Sequence, residues 1–345
     1  MTLSAPLSNR LPPGARNVMV MTVLAVYICM IDRIAISIAI IPMTAEHGWT
    51  TTLQGAVMSA FFLGYLILQI PAGYLSDRFG GKWVLGLGVI FWSLFTLLTP
   101  VAAMLGISAL LVCRFLMGVA ESVTWPSIYA LYSQWIHPDR RASAVGLMNS
   151  GIAGGSVIAL ICTPWLISVW SWQGAFYLYG LLGVVWFIFW IYSAQSRPSP
   201  LPEWQSTVAL APQLTPEAPP VVAADEQIYP RLTIRRMLHS RAVWAIAIAH
   251  ISINWSLYLI LSWFPTFVNR EMGVDLQTAG LLALAPTVIS LVMAPAAGRL
   301  FDRLVSQGYN RRTSRRAMQA VACAGSTLAE VTVTLTHWRI LSVAA

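Results

Sequence analysis

Long apolar stretches separated by short polar turns set the first constraint on this chain. A helix needs about 20 predominantly apolar residues to cross the hydrocarbon core of a bilayer. Runs of that size lie near 17–43, 52–76, 82–104, 107–136, 141–167, 173–194, 239–268, 276–301 and 316–336, the last of them carrying Glu330 and several Ser and Thr. Between the sixth and seventh runs stands RPSPLPEWQSTVALAPQLTPEAPPVVAADEQIYPR, with eight of the 20 prolines and almost no apolar run, which reads as a flexible linker. The pattern predicts an all-α polytopic membrane protein: an N-terminal six-helix bundle over 1–194, a Pro-rich linker over 195–238, and a partial C-terminal bundle of about three helices over 239–345.

Composition narrows the class. Hydrophobic residues make up 57% of the chain and charged residues only 10%, with a mean hydropathy of +0.68, too apolar for a water-soluble globule. The net charge of +8 could point to nucleic acid, but the cations fall in the turns between apolar runs rather than on one face. With the N-terminus placed in the cytoplasm, all but four of the 21 Lys+Arg lie on the inner side, the exceptions being Arg33, Arg114, Arg270 and Arg339. That asymmetry is the positive-inside pattern, so the charge reports topology and nucleic-acid binding drops out. The first run is long enough to span and lacks a small-residue cleavage site, unlike a cleavable signal. Cys29, Cys113, Cys162 and Cys323 are far apart and form neither a CxxC nor a Cys/His set, so they read as packing residues; no metal site and no cofactor are expected. With no nucleophile elbow, phosphate loop or metal-ligand cluster, the chain does not read as an enzyme.

Chemistry enters where ions interrupt the oil. Asp32 and Arg33 sit side by side in the first run, and Arg114 and Glu121 in the fourth. At roughly 2.5–3.5 kcal/mol per ionisable group, the four would cost on the order of 10–14 kcal/mol if they faced lipid, so they must face protein or a wet cavity. Two are acidic and two basic, so the set can be electroneutral when ionised. Arg114 and Glu121 are seven residues apart, about two turns along one helix face and roughly 10 Å by helix rise. Gly118 between them opens space for a ligand or a neighbouring helix. Two readings stand: internal salt bridges that join helices one and four, or an arginine anchor for a carboxylate beside an acid that carries a coupling proton. Tyr65 and Gln69, one turn apart, can hydrogen-bond a polyol or a neighbouring helix; Asn254, Trp255 and Tyr258 precede Pro265, where a kink can expose polar groups. His250, with no acid within a turn, reads as an interhelical hydrogen bond. NSGIAGG, with Asn149, Gly151, Gly154 and Gly155, reads as tight helix packing rather than a phosphate loop.

One motif occurs twice. GYLSDRF at Gly73 to Phe79 returns as GRLFDRL at Gly298 to Leu304, each closing the second helix of its half. In the first copy Asp77 can cap a neighbouring helix end while Arg78 and Lys82 face lipid headgroups.

GYLSDRFGGK resembles the signature loop between helices two and three of the major facilitator superfamily, and RFLMGVAES, Arg114 to Ser122, resembles its helix-four arginine motif. Together with IDRIAISIA and INWSLYLILSWFPTFV, the chain resembles the anion:cation symporter branch, which includes sugar-acid, phthalate and sialin-like carriers. The resemblance implies secondary active transport: proton-coupled symport of an organic carboxylate across an inner or plasma membrane, with a small organic anion, protons and the lipid bilayer as partners. It implies Arg33 as principal substrate anchor, Asp32 and Glu121 as proton carriers, Arg114 as the partner that tunes their protonation, and Tyr65 in the cavity wall. Gly73, Asp77, Arg78, Gly81, Lys82, Asp302 and Arg303 correspond to the gating loops. A bacterial inner membrane with the N-terminus in the cytoplasm is the expected location. Met30 and Ile152 stand where sugar-acid members often carry tyrosine and glutamine, which makes the cavity more apolar. The fold calls for twelve helices, so a truncated, non-transporting product is one alternative and an assembly partner another. A drug/proton antiporter is a third, against which stands the missing Gly-Pro motif in helix five, where Pro164 follows Gly155 by nine residues.

Overall fold

A computed structural model of the chain describes residues 12–195, 197–198, 239–310, 312–314, 316–325 and 327–328. The Pro-rich linker from 199 to 238 and the end of the ninth apolar run, 329–336, lie outside the described residues. Helices run α1 Ala15–His47, α2 Thr51–Phe79, α3 Gly81–Leu105, α4 Ile107–Glu121, α5 Thr124–Trp135, α6 Pro138–Val169 and α7 Trp172–Ser193, then α8 Arg241–Met272 and α9 Leu276–Ser306. Residues 316–325 are helical as well. Among the described residues six segments are long and apolar enough to cross a membrane, from Ala15–His47 to Trp172–Ser193, with α4 and α5 counted together as Ile107–Trp135. Short turns join them. Gly48 ends α1 with φ 66°, its N–H returning to Thr44 O, and Thr50 opens α2 by accepting from Leu53 N at 3.3 Å.

The fourth apolar run differs from expectation. It reads as one helix over 107–136, yet the backbone breaks between Glu121 and Thr124. Pro126 explains the break: its ring has no N–H to offer the carbonyl of Ser122, four residues back, and its bulk clashes there. Side chains take over the freed acceptors, with Ser122 Oγ donating to Val119 O at 2.7 Å and Thr124 Oγ1 to Glu121 O at 2.7 Å. Glu121 is therefore the last residue of α4.

The chain divides into two compact units, one formed by the described residues of Met1–Leu232 with Ser262–Leu284, the other by Thr233–Leu261 with Ala285–Ala345. In the first unit, α1 packs on α6 and α2 on α4 through missing side chains. A Cβ on Gly118 would run into the carbonyl of Phe61, and a Cβ on Gly64 into the carbonyl of Phe115, so α2 and α4 cross with each helix's glycine against the other's backbone. The space that Gly118 opens is filled by a helix. Gly151, Gly154 and Gly155 of α6 do the same against Val23, Tyr27 and Met30 of α1, as NSGIAGG suggested, while Asn149 is exposed. Met30 is buried against Gly155 and Ile152 packs beside the core.

Buried polar contacts fix the bundle where apolar packing in lipid cannot. Tyr132 and Thr22 share a 2.9 Å hydrogen bond, Trp186 Nε1 donates to Met21 O at 2.9 Å, Trp190 Nε1 to Lys82 O at 2.9 Å, and Trp172 Nε1 to Glu46 at 2.6 Å. Lys82 Nζ donates to Ile191 O at 3.0 Å, a cation at the carbonyl end of α7. Within the same unit, Arg270 at the end of α8 donates to Thr51 Oγ1 at 2.9 Å and to Gln54 Oε1 at 3.1 Å at the start of α2.

In the second unit, Trp244, Ile248, Ile251 and Trp255 of α8 are exposed, Tyr258 is half-buried, and Arg303 of α9 is exposed. The side chains of His250, Asn254 and Asp302 lie outside the described residues.

Gly118→Val forces α4 away from α2, so folded stability in detergent should fall by about 1–3 kcal/mol. Chemical unfolding followed by tryptophan fluorescence reads it; an unchanged midpoint would mean the two helices do not cross here.

Candidate functional site

Helix spacing gathers the buried ions. Cys29 and Arg33 are one turn apart on α1, Phe61 and Tyr65 one turn apart on α2, and Arg114, Gly118 and Glu121 follow one stripe of α4. The Gly64/Gly118 crossing brings the α2 and α4 stripes together. Asp32 and Glu121 are 0% exposed and Arg114 2%, and the Arg33 side chain keeps 7%. Asp32, Arg114 and Glu121 are thus buried inside the first unit, and Arg33 keeps a slight exposure.

Arg33 is ion-paired with Glu121. Its Nε donates to Glu121 Oε1 at 2.9 Å, Nη2 donates to the same oxygen, and Cys29 Sγ adds a third donor at 3.2 Å. Glu121 Oε2 is buried without a hydrogen-bond partner among the described residues. One carboxylate oxygen thus takes all three donors, and the other takes none among the described residues.

Arg114 stands apart from the Arg33–Glu121 pair. It makes no ion pair among the described residues; its Nη1 donates to Met117 Sδ at 3.1 Å and its Nε has no partner. Its guanidinium lies 5.1 Å from the centroid of the Phe61 ring, and Arg33 lies 5.2 Å from the same centroid. One phenyl ring therefore serves two cations through its negative π faces. Arg33 also lies 4.9 Å from the Tyr65 ring. Arg114 interacts electrostatically with both carboxylates, Glu121 and Asp32. Asp32 lies among Trp92, Thr96, Arg114 and Glu121, with the Thr96 hydroxyl and the Trp92 indole N–H as its polar neighbours, neither within close hydrogen-bond geometry; the Thr96 hydroxyl donates to Trp92 O at 3.0 Å.

Of the remaining expected residues, Tyr65 is half-buried beside Arg33, and Gln69, one turn along α2, is exposed. Gly73, Asp77, Arg78, Gly81 and Lys82 lie at the far end of α2 and the start of α3, away from the ions. Asp77 is exposed, and α3 begins at Gly81 without a side-chain cap, so Asp77 does not cap it. Cys29, Phe61 and Met117 were not singled out as site residues. The signal was there: each stands three or four positions from a charged or ring residue already chosen, and so shares its face. Among the described residues no group of three or more His, Cys, Asp or Glu could hold a metal ion.

A family model described as Major Facilitator Superfamily matches residues 5–345. The chain belongs to that superfamily. Curated relatives include the Arabidopsis thaliana chloroplastic sodium-dependent phosphate transport protein 1, 38% identical over 87% of this chain and 57% of its own length, and the Arabidopsis thaliana chloroplastic ascorbate transporter, 36% identical over 86% and 54%. The chain spans about half the length of the curated relatives it matches. Among solved structures, a bacterial homolog of the human lysosomal transporter Spinster, inward-facing and unoccupied, superposes with a TM-score of 0.69 at 18% identity over 86% of this chain and 64% of that one. A D-xylose-proton symporter gives a TM-score of 0.61 at 14% identity over 84% and 69%. These likenesses share the fold. The superfamily chain is an integral multi-pass membrane protein of a transporter family rather than an enzyme. The relatives' chloroplastic names give no support to the bacterial inner membrane expected from sequence.

Removing Arg33 while Glu121 stays leaves a buried carboxylate without its counter-ion. Arg33→Met should lower stability by about 3–5 kcal/mol, and adding Glu121→Leu should restore most of it. Denaturant midpoints of the single and double variants decide the matter; equal losses in both would break the pairing.

Proposed function

We propose that this superfamily member carries a small anion, an organic carboxylate, across a membrane together with protons. The observation that supports this reading best is the buried cluster of two arginines and two carboxylates, with Arg33 paired to one oxygen of Glu121 and the other oxygen without a donor among the described residues. The relatives named for phosphate and ascorbate transport make an anion the natural class of cargo.

In this reading a proton reaches Glu121 and adds at Oε2. The neutral acid no longer holds the guanidinium, and Arg33 turns its planar fork to an incoming carboxylate, which it can grip with two parallel N–H donors. Phe61 and Tyr65 keep the guanidinium in place by stacking during the exchange. Charge balance couples the steps: anion and proton enter the low-dielectric site together, since either alone leaves an uncompensated charge there. Arg114 and Asp32 act as the second pair, with Arg114 as further anchor and Asp32 as second proton carrier. Gln69, Asn254 and Tyr258 are assigned as further contacts for a hydroxylated cargo. The loop residues Gly73, Asp77, Arg78, Gly81 and Lys82, with Asp302 and Arg303 in the repeat, take the conformational role, and the N-terminus is assigned to the cytoplasm. Residues 1–194 serve as the first bundle and 239–345 as part of the second, joined by 195–238.

Purified protein in liposomes should accumulate a radiolabelled carboxylate when an inward proton gradient is imposed, and Arg33→Ala should abolish uptake; uptake indifferent to that change removes Arg33 as anchor. Glu121→Gln should keep substrate exchange between the two sides yet lose gradient-driven accumulation, and accumulation that survives would assign coupling elsewhere.

A further inference from the structure

On the opposite flank of α4 from the ion cluster lies a groove of about 640 Å³ between α2, α3 and α4. At 100° per residue, Leu116 and Val119, which line it, fall on the side of α4 opposite Arg114, Gly118 and Glu121. The groove is therefore separate from the candidate transport site. Its α3 wall runs from Trp83 to Phe95, about 18 Å of helix rise, close to the depth of one leaflet of a ~30 Å hydrocarbon core. Trp83, Leu87 and Phe91 along that wall are 50%, 48% and 51% exposed, so the groove opens sideways, across the lipid-facing flank of the bundle.

One end is different. Phe79 and Trp83, which line the groove where α2 ends and α3 begins, each carry a cation: Arg78 lies 5.5 Å from the Phe79 ring centroid and Lys82 lies 5.3 Å from that of Trp83. Arg78 uses Nη1 on Tyr74 OH and Lys82 one donor on Ile191 O, which leaves further N–H groups on each for an acceptor. Asp77 is exposed on the same turn, so two cations stand against one carboxylate and the corner is net positive.

We propose that this groove binds an anionic phospholipid, with an acyl chain along α2, α3 and α4 and the phosphate on Arg78 and Lys82. The apolar length accounts for the chain, and the net positive corner at the groove mouth, at headgroup depth, accounts for the sign of the headgroup. Aromatic rings beneath both cations hold them at that mouth rather than letting them extend into water.

Native mass spectrometry of the purified full chain, delipidated and returned to equal amounts of phosphatidylglycerol and phosphatidylcholine with matched acyl chains, tests it. Phosphatidylglycerol adducts should exceed phosphatidylcholine adducts by roughly fivefold for each cation engaged. The Arg78→Gln/Lys82→Gln double variant should bring the ratio to one, with the single Lys82→Gln giving an intermediate value should the double variant fail to fold. Leu87→Trp, which fills the groove from an exposed position, should reduce both adducts while keeping their ratio. Equal retention of the two lipids, a preference that persists without both cations, or displacement of the lipid by inorganic phosphate alone would overturn the proposal. So would a dimer mass lost on Leu87→Trp, which would give the groove to a second copy of the chain.

Discussion

A carboxylate and a guanidinium sealed from water hold this site in being. In the low dielectric of the bundle an isolated charge is strongly unfavourable, and its loss of hydration is recovered only by an opposite charge with good hydrogen-bond geometry. Arg33 and Glu121 meet that condition on one oxygen, with Cys29 as a further donor. Because the pair joins α1 to the end of α4, any change in its protonation acts on two helices at once.

Two local features deliver Glu121 to that position. Pro126 ends α4 at Glu121, and hydroxyls of Ser122 and Thr124 satisfy the interrupted backbone. Gly64 and Gly118 let α2 and α4 cross at backbone contact, which places the Phe61 ring between Arg33 and Arg114. Broken helices and small-residue crossings are what a membrane protein uses where polar groups must be exposed to one another rather than to lipid. The same face of α4 that carries the ions leaves its opposite flank apolar, so one short helix separates two environments of contrary character.

Membership of the Major Facilitator Superfamily accounts for the order of the first six spans and for the doubled loop motif. The phosphate and ascorbate named for the relatives differ in shape but share negative charge. In this chain two guanidinium groups share the Phe61 ring, and one of them also stands beside Tyr65.

Apolar run length alone determined that the chain is a bundle of membrane helices, because a backbone in lipid must satisfy its own hydrogen bonds and helices are the local way to do so. The cost of intramembrane charge likewise marked Asp32, Arg33, Arg114 and Glu121 before any coordinates, and the repeated GYLSDRF and GRLFDRL marked the fold. Which arginine meets which carboxylate was decided only in three dimensions. Arg114 and Glu121 share a stripe and suggest each other, yet Glu121 pairs with Arg33 from another helix, and Arg114 turns to Met117 and Phe61. Periodicity fixes the face on which a side chain stands; the partner across that face depends on how closely two helices approach, and here a pair of glycines sets that distance.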